Sequence, residues 1–68
     1  MDEGPELRLL FHRLNNQLGI ILAHAELLES KAADEMSRAR AAQVVSSTLE
    51  AMGTAKEIRR VCGTAIEQ

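Results

Sequence analysis

The chain has 68 residues, of which 26% are charged and 46% are hydrophobic, and its formal net charge is −2. This length allows one domain at most, and the hydrophobic content is too high for an intrinsically disordered chain. The slightly negative net charge argues against a general nucleic-acid binder, which carries an excess of lysine and arginine.

Cysteine content and hydropathy narrow the class of protein further. Cys62 is the only cysteine, so the chain cannot form an internal disulfide, and a reducing cytoplasm is the compartment that fits. We expect this thiol to face the core, as most free cysteines do. No apolar run approaches the roughly 20 residues that span a bilayer, so we expect a soluble protein without membrane insertion. The sequence predicts neither a cofactor nor a metal ion.

The first predicted helix runs from about residue 5 to about residue 30. Gly4, Pro5 and Glu6 form a helix start, because proline is favoured in the first turn and an acid there faces the positive end of the helix dipole. Apolar side chains then repeat with alternating spacings of four and three, the a/d pattern of a helix that packs along a partner. These positions are Leu7, Phe11, Leu14, Leu18, Ile21, Ala25 and Leu28.

A short turn at about residues 31–34 precedes a second predicted helix at about residues 35–64. Asp34 is the expected N-cap, and a turn this short makes the two helices antiparallel neighbours. The seam of the second helix has smaller side chains: Ala41, Val45, Thr48, Met52 and Ala55. We expect five further residues to widen it: Val44, Leu49, Ala51, Ile58 and Cys62. We therefore predict an all-α fold, a single antiparallel helical hairpin over residues 1–68. Because a lone hairpin of this length has no enclosed core, we expect it to dimerise into a four-helix bundle.

One constellation in the first helix can carry chemistry. His12 follows the seam residue Phe11 by one position, about 100° around the helix, so its imidazole lies on the flank of the seam within reach of solvent or a partner. Asn16 lies one turn after His12, and Arg8 lies one turn before it.

The register of the hairpin places further residues opposite this imidazole. His12 lies about twenty residues before the turn, so it should face residues about twenty after it, near Met52, Gly53 and Lys56. Basic side chains then gather at the open end of the hairpin: Arg8, Arg13, Lys56, Arg59 and Arg60. Such a cluster is either a solvated helix surface or a site for a phosphorylated imidazole or an acidic partner.

Residues 12–28 have the sequence His-Arg-Leu-Asn-Asn-Gln-Leu-Gly-Ile-Ile-Leu-Ala-His-Ala-Glu-Leu-Leu. This segment resembles the H-box of the dimerisation and histidine-phosphotransfer (HisKA-like) domain of bacterial sensor histidine kinases. In that family, His-Glu-Leu-Asn-Asn-Pro-Leu precedes a run that ends in Ala-Glu-Leu-Leu. The resemblance implies that His12 is the phosphoacceptor, presented to the receiver domain of a response regulator. It also implies that Asn16 takes the place of the Thr or Asn that orients water in the family's phosphatase activity.

Two positions depart from the family pattern. Arg13 replaces the acid that follows the histidine and helps to remove the imidazole proton during autophosphorylation, and an arginine cannot act as a base. Phe11 stands where the family has a small residue. Since this chain also contains no ATP-binding domain, we expect that it is not an autonomous ATP-dependent kinase. Transfer from an aspartyl phosphate is less demanding, because it needs only a neutral imidazole nitrogen aimed at phosphorus.

Three hypotheses follow for the function. In the first, the chain is a two-component signalling module that docks receiver domains and exchanges a phosphoryl group at His12. In the second, it is a catalytically inactive dimeric adaptor that competes with a histidine kinase for binding. The third is a purely structural dimerisation hairpin. For the first hypothesis, we predict His12 and Asn16 as catalytic residues. The predicted partner-binding residues are Arg8, Arg13, Gly19, Ala23, Gly53 and Lys56.

Overall fold

A computed structural model describes the backbone of residues 4–67 and the side chains of residues 4–62. The chain forms two helices, α1 (Gly4–Lys31) and α2 (Glu35–Glu67), which pack against each other as a hairpin 50 Å long and 11 Å thick. The all-α helical hairpin predicted from the sequence is confirmed. Both helices are longer than expected: α1 extends by one residue at each end, and α2 continues three residues past the predicted end near residue 64.

Local interactions define where the helices begin. Gly4 has a φ of 78°, a left-handed conformation that favours glycine, and Pro5 follows it as the first-turn proline. At the start of α2, the Ser37 backbone N–H donates to Oδ1 of Asp34 at 2.6 Å, which is N-cap geometry. The Arg38 guanidinium donates to the carbonyl of Ala32 at 3.1 Å. The connection of residues 32–34 is therefore tied to the first turn of α2 by the Asp34 carboxylate and by the Arg38 side chain.

The helices meet along a line of residues with heptad spacing. We define this contact line as Phe11, Leu18, Ala25, Ala41, Thr48 and Ala55, of which only Leu18 is half-buried and the others are buried. In each antiparallel pair, such as Phe11 with Ala55, the two members are equally distant in sequence from the centre of the turn. The small side chains of α2 allow the helix backbones to approach closely. The Thr48 hydroxyl donates to the Val44 carbonyl at 2.7 Å, so this buried polar group is satisfied.

The seam predicted for α1 does not face α2 as a whole. Leu14, Ile21 and Leu28 keep 39%, 47% and 66% of their surface exposed. Each follows a contact-line residue by three positions and therefore points about 60° to one side of it. A single neighbouring helix covers only one half of an a/d stripe, whereas the other half requires a second neighbour. The small-residue seam predicted for α2 is buried or half-buried at all five positions. The prediction that further residues widen this seam is wrong, because all five are exposed: Val44, Leu49, Ala51, Ile58 and Cys62.

Exposed apolar residues of both helices fall on the same side of the hairpin. The helices are antiparallel, so an observer at one end of the hairpin sees the chain turn clockwise along α1 and anticlockwise along α2. Residues of the two helices that have the same rotation from the contact line therefore lie on the same side of the hairpin. A groove on this side is lined by apolar and polar residues together: Leu18, Val44, Thr48, Ala51, Arg40, Gln43 and Ser47. We call this side the apolar face and define it as Leu10, Leu14, Ile21, Leu28, Val44, Ala51 and Ile58.

The expectation that Cys62 faces the core is wrong, because its side chain is exposed. Cys62 follows Ala55 by one heptad and so has the phase of the contact line, but the residue opposite it would be Gly4, where α1 begins. Gly4 has no side chain that could cover the thiol. Across residues 4–67, neither helix contains a stretch long and apolar enough to cross a membrane.

Replacing Phe11 by alanine should destabilise the hairpin strongly. Phe11 is 8% exposed, and the guanidinium carbon of Arg59 lies 5.9 Å from its ring centroid. Removing a buried phenyl group costs about 3 kcal/mol in unfolding free energy, plus the lost cation–π contact. The matched control is Leu9→Ala, because Leu9 is 60% exposed and should lose little. Urea unfolding followed by circular dichroism at fixed protein concentration measures both, and equal losses would contradict the burial of Phe11.

The Asp34 cap should make stability depend on acid pH. The hydrogen bond from the Ser37 backbone N–H lowers the pKa of the Asp34 carboxyl below its usual value, and the Ser37 side chain adds to this. The stabilisation is therefore present above the unfolded pKa of about 4 and is lost as the pH falls through the lower folded pKa. Asp34→Asn should keep most of the cap but remove this part of the pH dependence, whereas Asp34→Ala should lower the melting temperature at neutral pH. Thermal melts at several pH values test both variants.

Candidate functional site

The predicted site residues are related by one geometric rule. Six of the eight follow, by one position, a residue that is buried or half-buried between the helices. A step of one residue rotates the side-chain direction by about 100° around the helix. This rotation from the contact line is in the opposite direction to that of the apolar-face residues. These six therefore share the other broad side of the hairpin. We call it the site face and define it as Arg8, His12, Gly19, Ala23, Gly53 and Lys56.

His12 is exposed and lies in a shallow depression formed by α1 alone. The depression is lined by Pro5, Arg8, Leu9 and His12. Arg8 and His12 are one turn apart, so their Cβ atoms are neighbours on the helix surface, about 5–6 Å apart. Among the described residues, no side chain of α2 lines this depression. The imidazole can therefore be approached from the open side of α1 without displacing the second helix.

Of the two remaining predicted residues, Asn16 lies at the outer edge of the site face, at the same angle as Ala23, and Arg13 lies beyond that edge. Asn16 is exposed and points about 140° from Phe11, one turn after His12, so its amide can reach a group bound at the imidazole. Arg13 is also exposed and points about 200° from Phe11, away from both broad faces. The structure thus brings Asn16 beside His12, whereas Arg13 projects from the back of α1.

Basic side chains dominate the charge around His12. Between Glu6 and Glu26, α1 contains Arg8 and Arg13 but no Asp or Glu. On α2, Lys56 is exposed on the site face. This surface attracts an anionic group, such as a phosphoryl group or an acidic partner.

Two further bases of the predicted cluster have other contacts. Arg60 forms an ion pair with Glu57, and this hydrogen bond lowers the pKa of the Glu57 carboxyl and raises the pKa of Arg60. Arg59 lies over the ring of Phe11. The cluster at the open end of the hairpin is therefore divided: Arg59 covers the end of the contact line, and Arg60 is held by its own helix.

The two glycines of the site face leave open space around them. Gly19 is half-buried and Gly53 is exposed, and a Cβ atom added at either position would meet no other atom within 4 Å. Packing within the hairpin therefore does not require glycine at these positions. Glycine in a helix interior costs about 1 kcal/mol relative to alanine, so both positions are suboptimal for the hairpin alone. Close approach of a partner backbone is the functional reason that would favour them.

Sequence reasoning missed three exposed apolar residues around this site and misplaced a fourth. Leu49 was predicted to widen the α2 seam, but it follows Thr48 by one position and is 53% exposed on the site face. Leu9, Ile20 and Leu27 are each two positions from a contact-line residue, so they point about 160° from it, away from α2. Their spacing from Phe11, Leu18 and Ala25 was the available signal, because a helix that is apolar on several sides has several neighbours.

Comparison of the chain with known protein families, with curated proteins and with solved structures found no match. The resemblance of residues 12–28 to the H-box therefore depends on those residues alone. Within the described residues, no group of three or more His, Cys, Asp or Glu side chains is placed to hold a metal ion. The chemistry that this arrangement can perform is that of an accessible imidazole flanked by an amide and by guanidinium and ammonium groups.

Proposed function

We propose that this chain is a two-component signalling module that dimerises, docks receiver domains through the site face and exchanges a phosphoryl group at His12. The observation that carries the proposal is the exposed imidazole of His12, in a depression that it shares with Arg8, on the side opposite the apolar face. A dimer formed through the apolar face would leave both imidazoles of the bundle accessible. The resemblance of residues 12–28 to the H-box supports the same function.

The reaction is a transfer between an aspartyl phosphate and the imidazole. A neutral ring nitrogen of His12 attacks phosphorus, the bond from phosphorus to the aspartyl oxygen breaks, and the aspartate leaves as a carboxylate. The ring loses its remaining N–H proton to solvent, which gives a neutral phosphorylated ring. Arg8 and Lys56 lie on the same face and stabilise the phosphoryl oxygens, and Asn16 can hydrogen-bond to the same group.

The second candidate is a catalytically inactive adaptor that binds receivers, or the helical domain of a histidine kinase, and competes with the kinase. Arg13 favours this candidate, because the family has an acid at that position and an arginine cannot accept a proton. Both candidates use the same docking face and the same dimer. The exposed, unpaired thiol of Cys62 fits the reducing cytoplasm in which we place either one.

We propose that the dimer is a four-helix bundle that buries the apolar face of each chain. No large side chain among residues 4–62 is fully buried within one hairpin, and Leu14, Ile21 and Val44 all remain at least 39% exposed. Small domains that cannot enclose a core usually need such an association to be stable. Two copies packed face to face would supply the missing neighbour for the second half of the α1 seam.

The dimer predicts different outcomes for two adjacent isoleucines. Ile21→Asp places an unpaired carboxylate in the proposed interface, which costs several kcal/mol, so it should give a monomer or an unfolded chain. Ile20→Asp is the matched control and should leave the dimer intact, because Ile20 points away from the apolar face. Analytical ultracentrifugation should give twice the 7.5 kDa mass for the native chain and for the control. A folded native monomer would contradict the dimer.

Phosphotransfer is tested with purified receiver domains from the same organism, phosphorylated with acetyl phosphate. We expect the native chain to gain a phosphoryl group, His12→Ala to gain none, and the matched variant His24→Ala to behave like the native chain. Mass spectrometry at neutral pH locates the modified residue. Magnesium ATP alone should leave the chain unmodified, because a two-helix hairpin with Arg13 beside the histidine has neither a nucleotide-binding fold nor a base.

The remaining outcomes separate the three hypotheses. Receiver binding without transfer would support the adaptor and contradict the phosphotransfer module. A dimer that binds neither phosphorylated nor unphosphorylated receivers, nor the helical domain of a kinase, would leave the structural hairpin as the remaining hypothesis.

A further inference from the structure

The apolar surface of α1 is larger than a hairpin dimer can bury. Leu9, Ile20 and Leu27, which we call the outer stripe, keep 60%, 58% and 52% of their surface exposed. The side chains of the outer stripe point about 160° from the contact line. The apolar face lies on one flank of the contact line, about 100° around α1 from the outer stripe. A second copy packed on the apolar face therefore does not reach them. Because α1 is apolar on three sides, another helix is needed to cover the third side, which is the outer stripe.

The outer stripe belongs to a heptad register of its own. The positions 9, 13, 16, 20, 23 and 27 alternate in spacing between four and three, as the a and d positions of a coiled coil do. Leu9, Ile20 and Leu27 are the apolar members, and Ala23 leaves room for a side chain of a facing helix. Asn16 is a single polar residue within the register, a device that fixes the alignment of two helices. The surface spans about 27 Å, so it fits a partner helix of about 18 residues.

Charges along the same surface indicate what the partner helix carries. Arg13 occupies one position of the register, and Lys31 lies five turns further on with the same phase. Both side chains are exposed. One exposed acid, Glu6, precedes Leu9 by three residues and continues the register at its N-terminal end, so two basic residues stand against one acidic residue. His12 and Arg8 lie on the opposite edge, and α1 has no carboxylate between Glu6 and Glu26. Complementary charges steer and align helix pairs, so carboxylates are the residues that fit along these edges.

We propose that the outer stripe binds an amphipathic helix of a partner protein, with apolar residues at heptad spacing and Asp or Glu on its flanks. This interaction does not require phosphoryl chemistry at His12. It adds a second docking surface next to the site face, on the side of α1 that faces away from α2. The bound helix would pass beside His12 and contact Arg13.

The test uses the full chain and two fluorescently labelled synthetic helical peptides of about 18 residues with the same apolar heptad stripe. One peptide carries glutamates on its flanks and the other carries lysines. Fluorescence anisotropy should show that the glutamate peptide binds at least about tenfold more tightly than the lysine peptide. Arg13→Glu should reverse this preference, because Arg13 is the one charged residue among the six positions of the register and the substitution inverts its charge.

Two matched pairs of substitutions locate the binding surface. Ile20→Gln with Leu27→Gln should weaken binding of the glutamate peptide at least about tenfold without changing helicity or the mass in sedimentation. Met36→Gln with Val61→Gln removes two apolar residues of equal or greater exposure from α2 and should leave binding unchanged. Equal losses in both pairs, equal binding of both peptides, or no binding of either peptide would overturn the proposal.

Other occupants give different results. A native tetramer that Ile20→Gln with Leu27→Gln reduces to a dimer would show that another copy covers the outer stripe, and would overturn the proposal. Binding of phosphatidylglycerol vesicles that depends on the same two residues, with no peptide binding, would assign the surface to a membrane and overturn it too. Failure of His12 to accept a phosphoryl group would contradict only the phosphotransfer function, because none of these measurements depends on it.

Discussion

The contact line between α1 and α2 is the constraint on which the rest of the structure depends. Its small α2 residues set the distance between the helices, and Phe11 closes the line near the open end under the guanidinium of Arg59. Once this line is set, the 3.6-residue repeat determines where every other side chain points. The apolar face, the site face and the outer stripe differ in the angle at which their side chains point from the contact line.

The arrangement of these surfaces allows association and docking to occur together. The apolar face and the site face lie on opposite broad sides of the hairpin, so the residues that would hold a dimer do not compete with those around His12. The cost of this division is a thin molecule, only 11 Å across in its shortest dimension, in which no hairpin encloses a core of its own. In the proposed function, stability and partner recognition would both depend on surfaces that face outwards in the single chain.

Most of the fold could be predicted because its signals are local. The Asp34 cap, the short connection and the small-residue seam of α2 follow from residue types at fixed spacings, and each is found in the structure. The α1 seam was predicted as one surface, but in the structure one half of it faces α2 and the other half is exposed. An a/d pattern alone does not say how many neighbouring helices share it. The exposed position of Cys62 follows from where α1 begins, which depends on the pairing of the two helices and not on residues near the cysteine.

The candidate site also combines features that could be predicted from the sequence with features that could not. The flank position of His12 and its neighbours Arg8 and Asn16 could be predicted from helical phase alone, without knowledge of the second helix. The separation of Arg59 and Arg60 from the basic cluster could not, because it depends on the ring of Phe11 and the carboxylate of Glu57. Leu9, Ile20 and Leu27 were missed because assigning one seam to each helix left no reason to look for another.

The heptad phase of the contact line also limits how the length of such a chain can change during evolution. One residue inserted in α2 between Ala41 and Thr48 would rotate everything beyond it by about 100°, so Lys56 would leave the site face. Seven residues added to one helix alone would preserve the phase but leave part of that helix without a neighbour. Lengthening that preserves all three surfaces therefore requires whole heptads in both helices together, so viable length variants should be spaced about fourteen residues apart.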